Sequence, residues 1–369
     1  MNKYNTVFQT GLFFAFAAIL FSFLLAFILT PLARKLALRF GCLDLPDGKR
    51  KMHKAPIPYF GGLSILVGFL VSALLFSFMT MGMIPTEIFV MLVGGAGICL
   101  VGLLDDMYDI RPGYKFLAQI AVAAFTVYFG GGIEYTTVWG LSLQLGGFSF
   151  PITVFWIVLI INAVNLIDGL DGLAGGVCAL ESFALFVTAI VMGNPVCAVA
   201  SAAICGASLG FLPYNVNGAT IFMGDAGSML IGYVMACISV FGLFKSQALF
   251  SIVVPALIFA LPLMDTVLAF CRRILSGRNP FRADKQHLHH KLLYNGFSPC
   301  QSVLAIYTAT AIFCIASVLY MYHQVVSVSL CVLDLAYIEA LKNDRAFLHR
   351  IKSTGNAVEM LLGTNETGV

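Results

Sequence analysis

The chain has 369 residues, of which 60% are hydrophobic and only 11% charged, with a formal net charge of +3 and a mean hydropathy of +0.93. These values exclude an ordinary soluble globular protein and indicate a chain that lives in a bilayer. The small net charge says little about partners, but the distribution of charge along the chain says a good deal.

Apolar runs cover residues 11–30, 60–80, 88–104, 116–130, 151–167, 175–192, 196–212, 228–244, 249–270 and 302–322. Each approaches the roughly 17–25 apolar residues needed to cross a membrane as a helix. A shorter run, 324–341, contains Asp334. The expected fold is therefore an all-α polytopic membrane protein of ten or eleven transmembrane helices, forming one domain over residues 1–350 with a polar tail at 351–369. The first run lacks a small-residue cleavage site before the basic stretch that follows, so it reads as a retained helix. The ten cysteines show no CxxC pair and read as small apolar packing residues.

Of the 21 Lys and Arg residues, seven lie between runs one and two, two between runs three and four, six between runs nine and ten, and four after residue 341. All 19 fall on one side if the runs alternate across the bilayer and the eleventh is counted. The positive-inside rule makes that side cytoplasmic and puts the N-terminus outside. On the outer side, the alternation of Leu141, Leu143 and Leu145 before Gly146-Gly147 predicts a short β-hairpin within 133–150.

The chemistry-bearing residues gather at the cytoplasmic ends of the runs. Arg50-Lys51-Met52-His53-Lys54 precedes Pro56, Pro58 and Gly61-Gly62; it reads equally as a phosphate-reaching loop or as plain positive-inside charge. Asp105, Asp106 and Asp109 end the third run, where i,i+3 and i,i+4 spacing predicts three converging carboxylates. Like charges this close need a cation or a shared proton, and Mg²⁺ suits oxygen ligands that also bridge substrate phosphates. Asn162, Asn165, Asp168 and Asp171 recur every three residues with Gly169 and Gly172 among them. That spacing predicts one drifting helical face and a metal–pyrophosphate site, because carboxylates are costly near hydrocarbon. Glu181, inside the sixth run, reads as a structural, internally bonded group. Phe222-Met-Gly224-Asp225-Ala-Gly227-Ser228 precedes another apolar run, whose helix N-terminus is expected to offer free N–H groups to an anionic ligand. Asp265 is isolated and carries no assignment. Arg282, Asp284, Lys285, His287, His289, His290 and Lys291 form a stretch better suited to a phosphate clamp than to tetrahedral zinc, with a lipid-touching basic loop as the competing reading.

In their order along residues 30–300, these motifs resemble the polyprenyl-phosphate N-acetylhexosamine-1-phosphate transferase superfamily. They are the basic loop at 44–53, Asp105-Asp106-x-x-Asp109, Asn162-Ala-Val-Asn165-Leu-Ile-Asp168-Gly-Leu-Asp171-Gly-Leu-Ala-Gly-Gly176, Ile221-Phe-Met-Gly-Asp225-Ala-Gly-Ser228 and His287-Leu-His289-His290. The RKMH and DKQHLHH stretches are similar to the branch that loads N-acetylglucosamine-1-phosphate for teichoic acid, enterobacterial common antigen or O-antigen. The phospho-N-acetylmuramoyl-pentapeptide transferase branch differs in having a Thr-Pro-Thr-Met-Gly-Gly type sequence where this chain has Ile57-Pro-Tyr-Phe-Gly-Gly62, and in its run of adjacent histidines.

The resemblance implies transfer of the sugar phosphate from a UDP-N-acetylhexosamine to undecaprenyl phosphate with release of UMP, in a bacterial inner membrane. Mg²⁺, with Mn²⁺ as a substitute, is the implied cofactor. Membrane lipid is a partner, no nucleic acid is expected, and a homodimer is left open. It also implies Asp105, Asp106, Asp168 and Asp225 as catalytic residues and Asn165 and Asp225 as metal ligands. Lys51, His53, Asp109, Asn162, Asp171, Asn215, Phe222, Arg282, His287, His289 and His290 are implied as substrate-binding. Asp105 would deprotonate or position the lipid phosphate, while Phe222 and Asp171 would hold the uracil. An intramembrane prenyltransferase should show two Asp-rich motifs and no His cluster, and a transporter would place its ionisable groups mid-span with repeat symmetry. The sugar epimer and the downstream glycan are left open.

Overall fold

The computed structural model describes residues 2–45, 55–138, 141–216, 218–244, 252–277 and 287–343. The chain folds as a helical bundle: α1 (Asn2–Phe40), α2 (Gly61–Met81), α3 (Thr86–Tyr108), α4 (Pro112–Gly130), α5 (Ser149–Ile167), α6 (Leu173–Val191), α7 (Pro195–Phe211), α8 (Gly224–Ile238), α9 (Val253–Ile258), α10 (Ala260–Leu275), α11 (Leu288–Tyr294), α12 (Pro299–Tyr320) and α13 (Gln324–Asn343). Two short antiparallel pairs complete it, β1 (Leu43–Asp44) with β2 (Ile57–Pro58), and β3 (Tyr135–Val138) with β4 (Leu141–Gln144). Tyr135 faces Gln144 and Val138 faces Leu141, within the stretch where the sequence alternates.

Nine helices among the described residues are long and apolar enough to cross a membrane, which makes the protein a polytopic all-α membrane protein. They are α1, α2, α3, α5, α6, α7, α8, α12 and α13, so the 324–341 run does form a long helix. Two of the expected crossings are not among the nine. The 116–130 run forms α4, where Lys115 and Gln119 dilute the apolar content. The 249–270 run is broken at Phe259 into α9 and α10. Pro262 favours the break, because its ring clashes with the carbonyl four residues back, at Ile258, and an interior proline kinks or breaks a helix.

Helix α8 is the axis of the bundle. Every residue of α8 except Asp225 is buried, and the helix packs against α2, α3 and α5. A helix that is apolar all round has no solvent-facing side to lose, so burial on every face is its stable arrangement. A second group forms where α1 packs on α2 and α7, while α6 joins α7 to α12. Small residues set the close approaches: a Cβ built on Gly102 of α3 would lie 2.4 Å from both the amide nitrogen and the Cα of Ala226. Close backbone contact of this kind recurs where small residues line membrane-helix interfaces.

Two intramembrane acids are buried without a partner among the described residues. Glu181 is fully buried, and neither carboxyl oxygen has a hydrogen-bond partner among the described residues, so it is not the internally bonded group the sequence suggests. Among the described residues, Cys178 and Cys314 lie near it, and no side chain answers its carboxyl group. Asp334 in α13 is buried and unanswered in the same way.

The α3–α8 contact gives a paired test. Gly102→Ala must push two backbones apart and is expected to cost about 1–3 kcal/mol. Gly97→Ala meets only Val122 Cγ2 at 3.8 Å. Thermal unfolding in detergent should show a clear loss for the first and almost none for the second.

Candidate active site

The site lies where the ends of α3 and α5 meet the starts of α4, α6 and α8. Its keystone is Asp106, whose Oδ1 accepts from the Asp225 amide at 2.8 Å and whose Oδ2 accepts from the Ala226 amide at 3.2 Å. The free N–H groups expected at the start of α8 are thus already answered by a carboxylate of the chain itself. Opposite charge at a helix N-terminus is favourable on both hydrogen-bond and dipole grounds. Gly224 is required there twice over. Its φ is +70°, and an added Cβ would sit 2.4 Å from Asp106 Oδ2.

The three acids ending α3 do not converge. Asp105 accepts from the Ile110 amide at 2.9 Å and from Lys115 Nζ at 3.0 Å, while Asp106 turns to α8. Asp109 closes the helix in the left-handed region at φ 51° and is exposed. Helix α3 stops at Tyr108, so the periodicity that would align Asp109 with the others is lost. Lys115, on the first turn of α4, bridges Asp105 to Asp225. In the sequence it stands out only as one of the two basic residues between runs three and four. Asn165 Nδ2 donates to Asp225 Oδ1 at 3.0 Å and to Ser228 Oγ at 2.9 Å, joining α5 to the same point.

The three-residue repeat also splits. Asn162 and Asn165 share α5, but that helix ends at Ile167. Asn162 is turned aside, donating to Gln119 Oε1 at 2.7 Å and to the Val158 carbonyl. Asp168 follows the helix and makes no side-chain hydrogen bond among the described residues. Burial pushes it up to about 7, helped by the charges of Asp106 and Asp171. Asp171 accepts from the Ala219 amide at 2.9 Å, and buried Asn215 ties the Gly172 amide to the Ile221 carbonyl. Tyr307 donates to the Gly172 carbonyl at 2.6 Å. Asp171 and Asn215 thus both tie down the loop between α5 and α6.

Phe222 pairs with Tyr59 at a ring-centroid separation of 6.1 Å, and its amide donates to the Pro58 carbonyl at 2.8 Å. The His cluster reaches the site through His289, which packs beneath Gly169: a Cβ there would lie 2.5 Å from His289 Nε2. His287 Nδ1 and Asp265 Oδ2 are 2.8 Å apart, and Asp265 Oδ1 accepts from the Leu288 amide, so Asp265 fixes the start of α11. Nothing near Asp265 in sequence gives that pairing away. The His289 and His290 rings stand 4.2 Å apart. Lys51, His53 and Arg282 lie outside the described residues.

Among the described residues, no group of three or more His, Cys, Asp or Glu could hold a metal unaided. The donors present nevertheless fit Mg²⁺, which is commonly held by one or two carboxylates with substrate phosphates completing its shell. A cation already stands between Asp105 and Asp225 in the form of the Lys115 ammonium.

Burial lowers His289 from 6.5 to about 4, and the charge of His290 adds to the shift. The imidazole is therefore neutral at pH 7. Because the unfolded chain takes up this proton first, folding stability should fall as pH drops from about 6.5 towards 4. Thermal unfolding across that range should show a steeper loss for the wild type than for His289→Gln. Parallel curves would contradict the burial argument.

Residues 88–243 match the family described as glycosyl transferase family 4. The chain is 39% identical over 303 residues to the probable undecaprenyl-phosphate N-acetylglucosaminyl 1-phosphate transferase of Bacillus subtilis, covering 82% of this chain and 83% of that protein. It is 35% identical over 317 residues to the decaprenyl-phosphate N-acetylglucosaminephosphotransferase of Mycolicibacterium smegmatis, covering 77% and 76%. It is 31% identical over 303 residues to the undecaprenyl-phosphate alpha-N-acetylglucosaminyl 1-phosphate transferase of Escherichia coli K12, covering 80% of each. With the matched segment running from α3 through α8 and so containing the acid-lined helix ends, the chain belongs to glycosyl transferase family 4, in the polyprenyl-phosphate N-acetylhexosamine-1-phosphate transferase superfamily.

Proposed function

We propose that the protein transfers N-acetylglucosamine-1-phosphate from UDP-N-acetylglucosamine to undecaprenyl phosphate, releasing UMP, as the first membrane step of a cell-envelope polysaccharide. The observation that carries this reading is the bridging of Asp105 and Asp225 by one ammonium, with Asn165 bonded to Asp225. The named activities of the three relatives supply the sugar and the lipid class. The concentration of basic residues on one side supports a cytoplasmic site in a bacterial inner membrane.

In the reaction, an oxygen of the lipid phosphate attacks the phosphorus that bears the sugar, and the bond to the UMP oxygen breaks. Asp225 would hold Mg²⁺, with the Asn165 amide oxygen as a further donor. When bound, the ion neutralises the charge that develops on the pyrophosphate. Lys115 presents a positive charge to the same phosphates and keeps Asp105 and Asp225 from repelling each other apart. Asp105 is committed to Lys115 and Ile110. Asp168 has neither tie, and a value of about 7 suits it to take the proton from a lipid phosphate. Phe222, partly exposed beside Tyr59, offers a ring on which a uracil can stack.

Purified protein given UDP-N-acetylglucosamine should release UMP only when both undecaprenyl phosphate and a divalent cation are supplied. Asp225→Asn, compared at matched amounts of monodisperse protein, should lose about 10²-fold or more through weaker charge stabilisation. UMP release at the same rate without the lipid phosphate, or after exhaustive chelation, would overturn the reading.

A further inference from the structure

Beside Asp265, α10, α11 and α13 line an open cleft that the proposed reaction does not use. Three cations line it, one from each helix: Arg272, Lys291 and Lys342. The cleft is a built feature. Asn295, just after α11, donates through Nδ2 to the Leu341 and Lys342 carbonyls at 3.4 and 3.0 Å, pinning the end of α13 against α11. Asp265 pins the other end of α11 to α10.

Lys342 ends α13 and Arg272 lies in the last turn of α10, positions where a cation is favoured by the helix dipole alone. That does not account for Lys291 facing them from a third helix. Partial burial lowers the Lys291 ammonium below its usual value, and the charges of Lys342 and Arg272 lower it further. Two acids lie nearby. Asp265 has both oxygens engaged on α11, and Glu339 is largely exposed, 3.7 Å from Lys342. The rest of the wall is apolar, with Leu261, Leu268 and Ile338. Leu268 is half exposed, so this wall continues onto the outer apolar face of α10, where Val267 and Ile274 are also exposed.

Three cations beside an apolar wall that runs on to the exposed apolar face of α10 match an amphiphile with an anionic head. We propose that this cleft binds an anionic membrane phospholipid, its phosphate on Arg272, Lys291 and Lys342 and an acyl chain along Leu261, Leu268 and Ile338. Basic pockets between membrane helices at the bilayer surface characteristically recognise such headgroups. The inference is independent of the sugar-phosphate transfer proposed above, because none of the three cations belongs to that site.

The test uses the full chain in detergent, with binding of phosphatidylglycerol and phosphatidylcholine followed by native mass spectrometry. The wild type should prefer phosphatidylglycerol. Lys291→Gln/Lys342→Gln should lower that preference by about 10-fold or more, and Lys291→Arg/Lys342→Arg should keep it. Should the double glutamine variant fail to stay monodisperse, Lys342→Gln alone carries the comparison at the end of α13. Millimolar inorganic phosphate should not displace the lipid, since it lacks the chain that the apolar wall takes up. Equal binding of the two phospholipids, or an unchanged preference in the glutamine variants, would overturn the proposal. So would displacement by inorganic phosphate, or competition by undecaprenyl phosphate that is lost in the same variants, which would make the cleft the substrate's own.

Discussion

The site depends on one carboxylate placed at the start of a helix 119 residues away in sequence. Asp106 answers the Asp225 and Ala226 amides, which would otherwise be orphan donors at the buried N-terminus of α8. An unanswered buried donor costs about 1–3 kcal/mol, and a charged acceptor is stronger than a neutral one. The contact is possible only because Gly224 has no Cβ where the carboxylate sits and Gly102 has none where α8 passes. Asp225 follows immediately on α8, so the cap also fixes where its side chain points.

Several carboxylates then gather around one lysine. Asp105 and Asp225 share Lys115, Asp106 is occupied by the α8 amides, and Asp168 is left without a hydrogen bond among the described residues. Acids crowded in this way hold together only with protons or cations among them. The arrangement is therefore suited to a divalent ion carried in with phosphates. The loops on either side are tied down by backbone–side-chain bonds through Asp171, Asn215 and Tyr307, which leave the acids at the mouth and the aromatic pair beside them. Rigid loops around a polar centre are what positional catalysis of phosphate transfer requires.

Much of this was legible in the sequence, because apolar length reports membrane helices and a polar cluster between apolar runs reports a site. The motifs containing Asp105, Asn165, Asp225 and His289 were found that way, and the structure brings them to one end of the bundle. Three things were not legible. Lys115 and Asp265 are single residues whose partners, Asp225 and His287, lie 110 and 22 positions away, and local pattern carries no trace of such pairs. The spacing of Asp105, Asp106 and Asp109 implied convergence, but the left-handed end of α3 at Asp109 separates them. Asp171 and Asn215 have the chemistry of ligand-binding residues, and their bonds to Ala219, Gly172 and Ile221 across the neighbouring loops leave no trace in local sequence.

The central claim is that Asp106 acts by holding the start of α8, with Asp109 no part of the site. The most direct measurement is the rate of UMP release against Mg²⁺ concentration for Asp106→Asn and Asp109→Asn at matched amounts of folded protein. An asparagine at 106 keeps one acceptor for the Asp225 amide but turns an NH₂ group towards the Ala226 amide. The cap should therefore loosen, with a rate loss of about 10²-fold, as expected for a displacement of about 1 Å, and a raised Mg²⁺ requirement. Asp109→Asn should behave as wild type. Equal losses from the two substitutions, or an Asp106→Asn enzyme with normal rate and normal Mg²⁺ dependence, would contradict the account.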